Sequence, residues 1–142
     1  MVFGVLLPMV ATASAAQAQE PVVVINEFVA DNNTGFADNT GATEDWIELH
    51  NTSATDTDIT GWTISDGDDS FTFPSVIIAA NGFLVIVASG EPDRTNGAEL
   101  HMPFKLSGDG EPLTLRDSAG VVSSPDFPAP GYPALPLAVS SA

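Results

Sequence analysis

From Val22 onward, the apolar residues nowhere sustain the i, i+3, i+4, i+7 spacing that would lay them along one side of a helix. They come instead in short β-branched and aromatic runs cut by turn formers. The runs are 22–29, 46–50, Ile59 with 62–64, 71–73, 83–88, 113–116 and 121–122, punctuated by Gly61, Pro74, Asn81-Gly82 and Asp109-Gly110. Strand follows turn follows strand, with no stretch for a crossover helix, so the chain is expected to be all-β, in a sandwich or barrel. In 46–50 the alternation places Ile47 and Leu49 on one face and Trp46, Glu48 and His50 on the other. Asp109-Gly110 predicts a type I′ hairpin between 104–106 and 113–115, because both central positions of that turn want φ > 0.

The run 83–88 is the most apolar and predicts a central strand, yet both of its alternating sets are apolar: Leu84, Ile86 and Ala88 on one side, Phe83, Val85 and Val87 on the other. A sandwich strand normally shows one side to water. The second face must therefore be covered by the long polar loop 31–44 or the C-terminal segment, or else remain as an apolar patch for a partner. This makes Phe83, Val85 and Trp46 the candidate interaction residues, with Trp46 also expected to pack near Phe36. Trp62 and Ile64 point the same way and are expected in the core.

Composition narrows the chemistry. Only three cations, Arg94, Lys105 and Arg116, stand against 19 Asp and Glu in 142 residues, a net charge of −16. No patch can neutralise a run of phosphates, which disfavours nucleic acid and anionic membranes as partners. The absence of cysteine excludes a disulfide framework, thiolate metal sites and a thiol nucleophile. An apolar content of 44% is ample for one folded domain.

The two ends read differently from the middle. Residues 2–10 are apolar and lead into an uncharged small-residue tract, 11–18, with Ala16-Gln17-Ala18 as the favoured cleavage site. Residues 1–18 are thus expected to be a secretory leader, too short for a transmembrane anchor, giving a mature start at Gln19 and a secreted or extracytoplasmic location. The body is expected over 19–122. After it, Pro125, Pro128, Pro130, Pro133 and Pro136 recur, and 123–142 is expected to be a linker or unfolded tail.

The ordered pieces Ile25-Asn26-Glu27-Phe28, Asp45-Trp46-Ile47-Glu48-Leu49-His50-Asn51, Ile59-Thr60-Gly61-Trp62-Thr63-Ile64-Ser65-Asp66, the strand at 82–89, and Phe104-Lys105-Leu106-Ser107-Gly108-Asp109-Gly110-Glu111-Pro112-Leu113 resemble the lamin-tail domain family in its bacterial exported type. The resemblance spans Ile25 to about Asp117. It implies an immunoglobulin-like antiparallel β-sandwich acting as a non-catalytic structural or protein-interaction module, of the kind fused to exported hydrolases or adhesion-type domains. With no coiled-coil rod and no basic surface, chromatin binding does not carry over.

Few residues argue for chemistry. The acidic loops offer Asp31, Asp38, Asp66 and Asp68 as oxygen ligands for Ca²⁺, the one cofactor considered; neither loop has EF-hand spacing, and Asp, Asn and Gly in turns bond their own backbone without a metal. His50 and His101 lack a zinc-ligand set and are expected to be partly exposed. Ser89 and Ser107 sit in no G-x-S-x-G elbow, and nothing in the spacing positions a triad. Asn32-Asn33-Thr34 and Asn51-Thr52-Ser53 match the N-glycosylation pattern. The expectation is a secreted non-enzyme that binds an unknown protein or extracellular polymer. Its rivals are a Ca²⁺- or carbohydrate-binding module and an accessory domain for an extracellular hydrolase.

Overall fold

The computed structural model describes residues 21–97 and 99–134. The expected leader over 1–18 and the start at Gln19 lie outside the described residues, as does 135–142. The described strands are β1 (Val23–Val29), β2 (Asp45–Asn51), β3 (Thr57–Asp58), β4 (Thr63–Ser65), β5 (Ser70–Thr72), β6 (Ile77–Ile78), β7 (Phe83–Ala88), β8 (Leu100–His101) and β9 (Thr114–Arg116). One sheet has the order β1-β2-β7-β8, a second β5-β4-β9, and a two-stranded ribbon joins β3 to β6. The pairs are antiparallel except β7 with β8, which run parallel across a connection containing a single 3-10 turn, Pro92–Arg94. This is an immunoglobulin-like sandwich.

Alternation decides what lies inside. The β2–β7 register sets Ile47 against Ile86 and Leu49 against Leu84 on the inner face, and Ile47, Leu49 and Ile86 are wholly buried. Ile64 and Leu115, paired between β4 and β9, are wholly buried on the facing sheet, with Trp62, Phe73, Met102 and Leu113 filling the space between. A bulge between Ile25 and Glu27 shifts β1 by one residue. It returns Phe28 to the inner side, where it packs on the core.

Two expectations need correction. Asp109-Gly110 does form a turn, with the Gly110 N–H donating to the Ser107 carbonyl at 3.2 Å and Gly110 at φ 97°. No hairpin follows: 104–106 is not a strand, and β9 pairs with β4 instead. Ile64 supplies an apolar cross-strand partner for Leu115 there, which a local hairpin would forfeit.

The second correction concerns 123–134, expected as a linker or unfolded tail. It folds back onto the sandwich. Leu113 and Phe127 exchange backbone hydrogen bonds of 2.9 and 3.0 Å, the Ser123 hydroxyl donates to the Val23 carbonyl, and Tyr132 is buried. Phe127 and Tyr132 both meet Phe28, with ring centroids 5.6 and 4.7 Å away. The prolines prevented a regular strand but not the burial of Tyr132 or the packing of half-buried Phe127 against the core. Close approach requires glycine twice: a Cβ on Gly131 (φ 103°) would strike the backbone of Glu111, and one on Gly110 would strike the Tyr132 carbonyl.

Tyr132→Ala is therefore expected to cost about 3 kcal/mol in urea unfolding, in the range for burying and then losing an aromatic. An unchanged midpoint would mean that this segment contributes nothing to the fold.

Candidate functional site

The outward face of β1-β2-β7 is built by the same register that builds the core. Three cross-strand rows point outward: Val24, His50 and Phe83; Glu27, Glu48 and Val85; Val29, Trp46 and Val87. Rows on one face recur about 7 Å apart along the strands. Phe83 is 56% exposed and its ring lies flat on the His50 imidazole, centroids 4.3 Å apart and planes 8° apart. At the other end Phe36 meets Trp46 at 6.3 Å. The three interaction residues named from sequence, Trp46, Phe83 and Val85, are thus brought to one surface. Beside them lies a concavity of about 400 Å³ lined by Phe36, Phe83, Val85 and Val87 with Asn39, Asn96 and Glu99.

The second apolar set of β7 is covered at one end only. Val87 is buried while Phe83 is exposed. Loop 31–44 does the covering, held by side chains that serve its backbone. The Asn32 amide group donates to the Phe36 carbonyl at 2.7 Å and the Glu44 carbonyl at 2.8 Å, and Asp45 accepts from the Asn32 and Leu106 N–H groups, each at 3.1 Å. Phe36 is thereby set over Trp46.

Polar groups converge at the margin of this face. Asp38, Glu99 and His101 offer ligand atoms within 4.8 Å of one another, the convergent set among the described residues. Asp31, Asp66 and Asp68 are not in it. Each atom of the set already has a protein partner. Asp38 Oδ1 accepts from the Thr40 N–H and hydroxyl and the Ala42 N–H, and Asp38 Oδ2 pairs with Arg94, which also pairs with Glu44 and Glu91. The guanidinium supplies the positive charge there. Burial pushes the Asp38 carboxyl up, but these donors and Arg94 outweigh it and hold it at about 2.

His101 is wholly buried, contrary to the partly exposed position expected, because β8 runs parallel beside β7 under the same cover. Its Nδ1 lies 3.0 Å from Ser89 Oγ and its Nε2 2.9 Å from Glu99 Oε1. The sequence offered no position for such a Ser-His-acid chain, although Glu99-x-His101 is a spacing that puts both on one strand face. Ser89 Oγ accepts from the Glu91 N–H at 3.1 Å, and Ser89 is itself buried. A nucleophile needs contact with its substrate; this buried serine bonds the start of its own loop and, through His101, strand β8, so the chain of bonds ties the two ends of the β7–β8 connection together.

Two further carboxylates, Asp66 and Glu111, serve turns. Asp66 accepts from the Asp68 and Asp69 N–H groups at 2.9 and 2.6 Å, as a turn-forming Asp does. Glu111 accepts from the Ser107 N–H at 2.9 Å, and the Tyr132 hydroxyl lies 3.2 Å from it. Burial pushes both Asp45 and Glu111 above the usual carboxylate range. Asn51 is wholly buried with its amide donating to the Thr55, Ile78 and Ala79 carbonyls, and Asn32 is buried too. Neither glycosylation pattern is open to modification in the folded chain.

The family model described as Lamin Tail Domain matches residues 16–125. No curated protein matched the chain.

Asp38 yields a pH prediction with a definite sign. Its folded-state value lies below the ordinary 3.8, so ionised Asp38 contributes stability that is fully present above that pH and is lost as pH falls toward 2. Asp45 and Glu111, shifted upward, act oppositely, gaining on protonation. Asp38→Asn is expected to melt roughly 4 °C below wild type at pH 7, with the gap closing below pH 3.8. A gap that persists at pH 2 would show that the ionised carboxylate is not what Asp38 contributes.

Proposed function

The chain belongs to the lamin tail domain family, and from that premise we propose that it is an exported, non-catalytic interaction module whose partner surface is the outward face of β1-β2-β7. The observation that carries this reading is Phe83. A large apolar side chain, exposed on an otherwise ordered sheet and stacked on an imidazole, sits beside a concavity with Phe36 and Val85. Contiguous apolar surface of this kind on a folded domain marks a contact site.

Support for a non-catalytic role comes from the burial of Ser89 and His101 and from Arg94 filling the charge-lined cluster beside them. Support for export comes from the apolar and small-residue character of 2–18. Among the described residues no helix is long and apolar enough to cross a membrane.

A photoreactive amino acid placed at Val85, with a matched placement at Asp117 on the far side of the sandwich, tests the reading in the cells that make the protein. Adducts in the extracytoplasmic fraction are expected from position 85 and not from 117. Equal adducts at both positions, or none at 85, would contradict it.

A further inference from the structure

We propose that the outward face takes a cationic polypeptide segment in extended form, a Lys or Arg side chain lying over Glu27 and Glu48 while neighbouring apolar side chains meet Phe83 and Val85; this rests on the interaction reading above. Three features of the face converge on that occupant.

The first is charge. Glu27 and Glu48 stand directly opposite each other across β1 and β2. Like charges in that position oppose strand pairing. Asn26 Nδ2 donates to Glu48 Oε1 at 2.7 Å, which relieves one carboxylate in part. Among the described residues no Lys or Arg pairs with either. Arg94 is tied to Asp38, Glu44 and Glu91, Lys105 to Glu44, and Arg116 lies at the Gly120 carbonyl. These three are the only Lys and Arg in the sequence. A guanidinium or ammonium from a partner is the complement this pair lacks.

The second is the aromatic flanks. The carboxylate row lies between the His50–Phe83 stack and the Phe36–Trp46 pair. Aromatic rings thus border that row on both sides, the surroundings in which a guanidinium stacks on a ring while a carboxylate holds its N–H groups.

The third is spacing. With Val87 buried, Phe83 and Val85 remain on this face of the strand at alternate positions. Their repeat of about 7 Å is that of alternate side chains in an extended partner. A free cation would satisfy the carboxylates and leave this apolar row wet. An extended segment with a cationic and an apolar residue two positions apart carries both on one face and meets both.

The test titrates the full mature chain with a short peptide, Val-Ser-Arg-Ser-Val, whose Val and Arg side chains share one face when extended, and with its citrulline counterpart, which keeps the shape and removes the charge. Calorimetry and tryptophan emission read the binding. The Arg peptide is expected to bind at least about tenfold more tightly than the citrulline peptide, and Glu27→Gln with Glu48→Gln to weaken it by about the same factor. The pair Asp68→Asn with Asp109→Asn removes the same net charge elsewhere and is expected to change binding less than about twofold, since distant exposed charges are screened. If the control pair weakens binding as much as the glutamate pair, the attraction is one of bulk charge and the proposal fails. No binding of the Arg peptide also overturns it. If both peptides bind equally and Phe83→Ser abolishes both, the cationic partner is wrong while the interaction face stands. If Phe83→Ser changes neither, the face itself is wrong.

Discussion

Cross-strand pairing of β2 with β7 governs both surfaces of the four-stranded sheet. Ile47 and Ile86 face each other inward with no exposure, and Leu49 faces Leu84 beside them. A slip of one residue would turn Glu48 and His50 into the core and throw the isoleucines into water, at a cost of several kcal/mol for the apolar loss alone. The register is therefore held firmly from within. Its outward consequence follows without freedom of choice: Trp46 must stand beside Val87, Glu48 beside Val85 and His50 beside Phe83. The features read as a partner surface are the other side of the pairing that closes the core.

An excess of acid on a small sandwich would ordinarily oppose compaction. Here many of the carboxylates and carboxamides work as acceptors and donors for backbone that no strand serves. Asp38, Asp45, Asp66 and Glu111 accept from loop N–H groups, and Asn32 and Asn51 donate to loop carbonyls. Hydrogen bonds from carboxylates to amides are stronger than neutral ones, so long irregular segments stay ordered. Loop 31–44 matters most among them, because its position decides where the cover over β7 stops, between buried Val87 and exposed Phe83.

Strands with a single apolar alternation were legible in the sequence. Ile47 and Leu49 against Trp46, Glu48 and His50 came out as read, as did Trp62 and Ile64 in the core and the central place of the 83–88 run. Contacts set by tertiary packing were not legible. Nothing local tells that Leu113 will choose Phe127, or that Phe127 and Tyr132 will find Phe28 across a proline-rich stretch. Proline content reports what the backbone cannot form, and two aromatics at the right distance override it. The His101 environment was missed for a related reason: β8 has only two residues, and its parallel place beside β7 depends on a connection whose course no periodicity encodes. For the proposed interaction face, two-sided apolarity of 83–88 pointed to Phe83 and Val85, and the structure places both on the outward side of β7. The facing Glu27–Glu48 pair needed the β1 register, including the bulge at Asn26 that alternation alone does not show.

The central claim is that the inward and outward sides of β7 differ in access to solvent within one strand. Because the chain has no cysteine, single substitutions Phe83→Cys, Val85→Cys and Ile86→Cys give thiols without background. Labelling of the folded chain with a thiol reagent, compared with labelling in denaturant, measures that access directly. Thiols at 83 and 85 are expected to react readily and the thiol at 86 to be protected until unfolding. Protection at 83 and 85 equal to that at 86 would mean that the outward face is covered, and the account of an open partner surface would be contradicted.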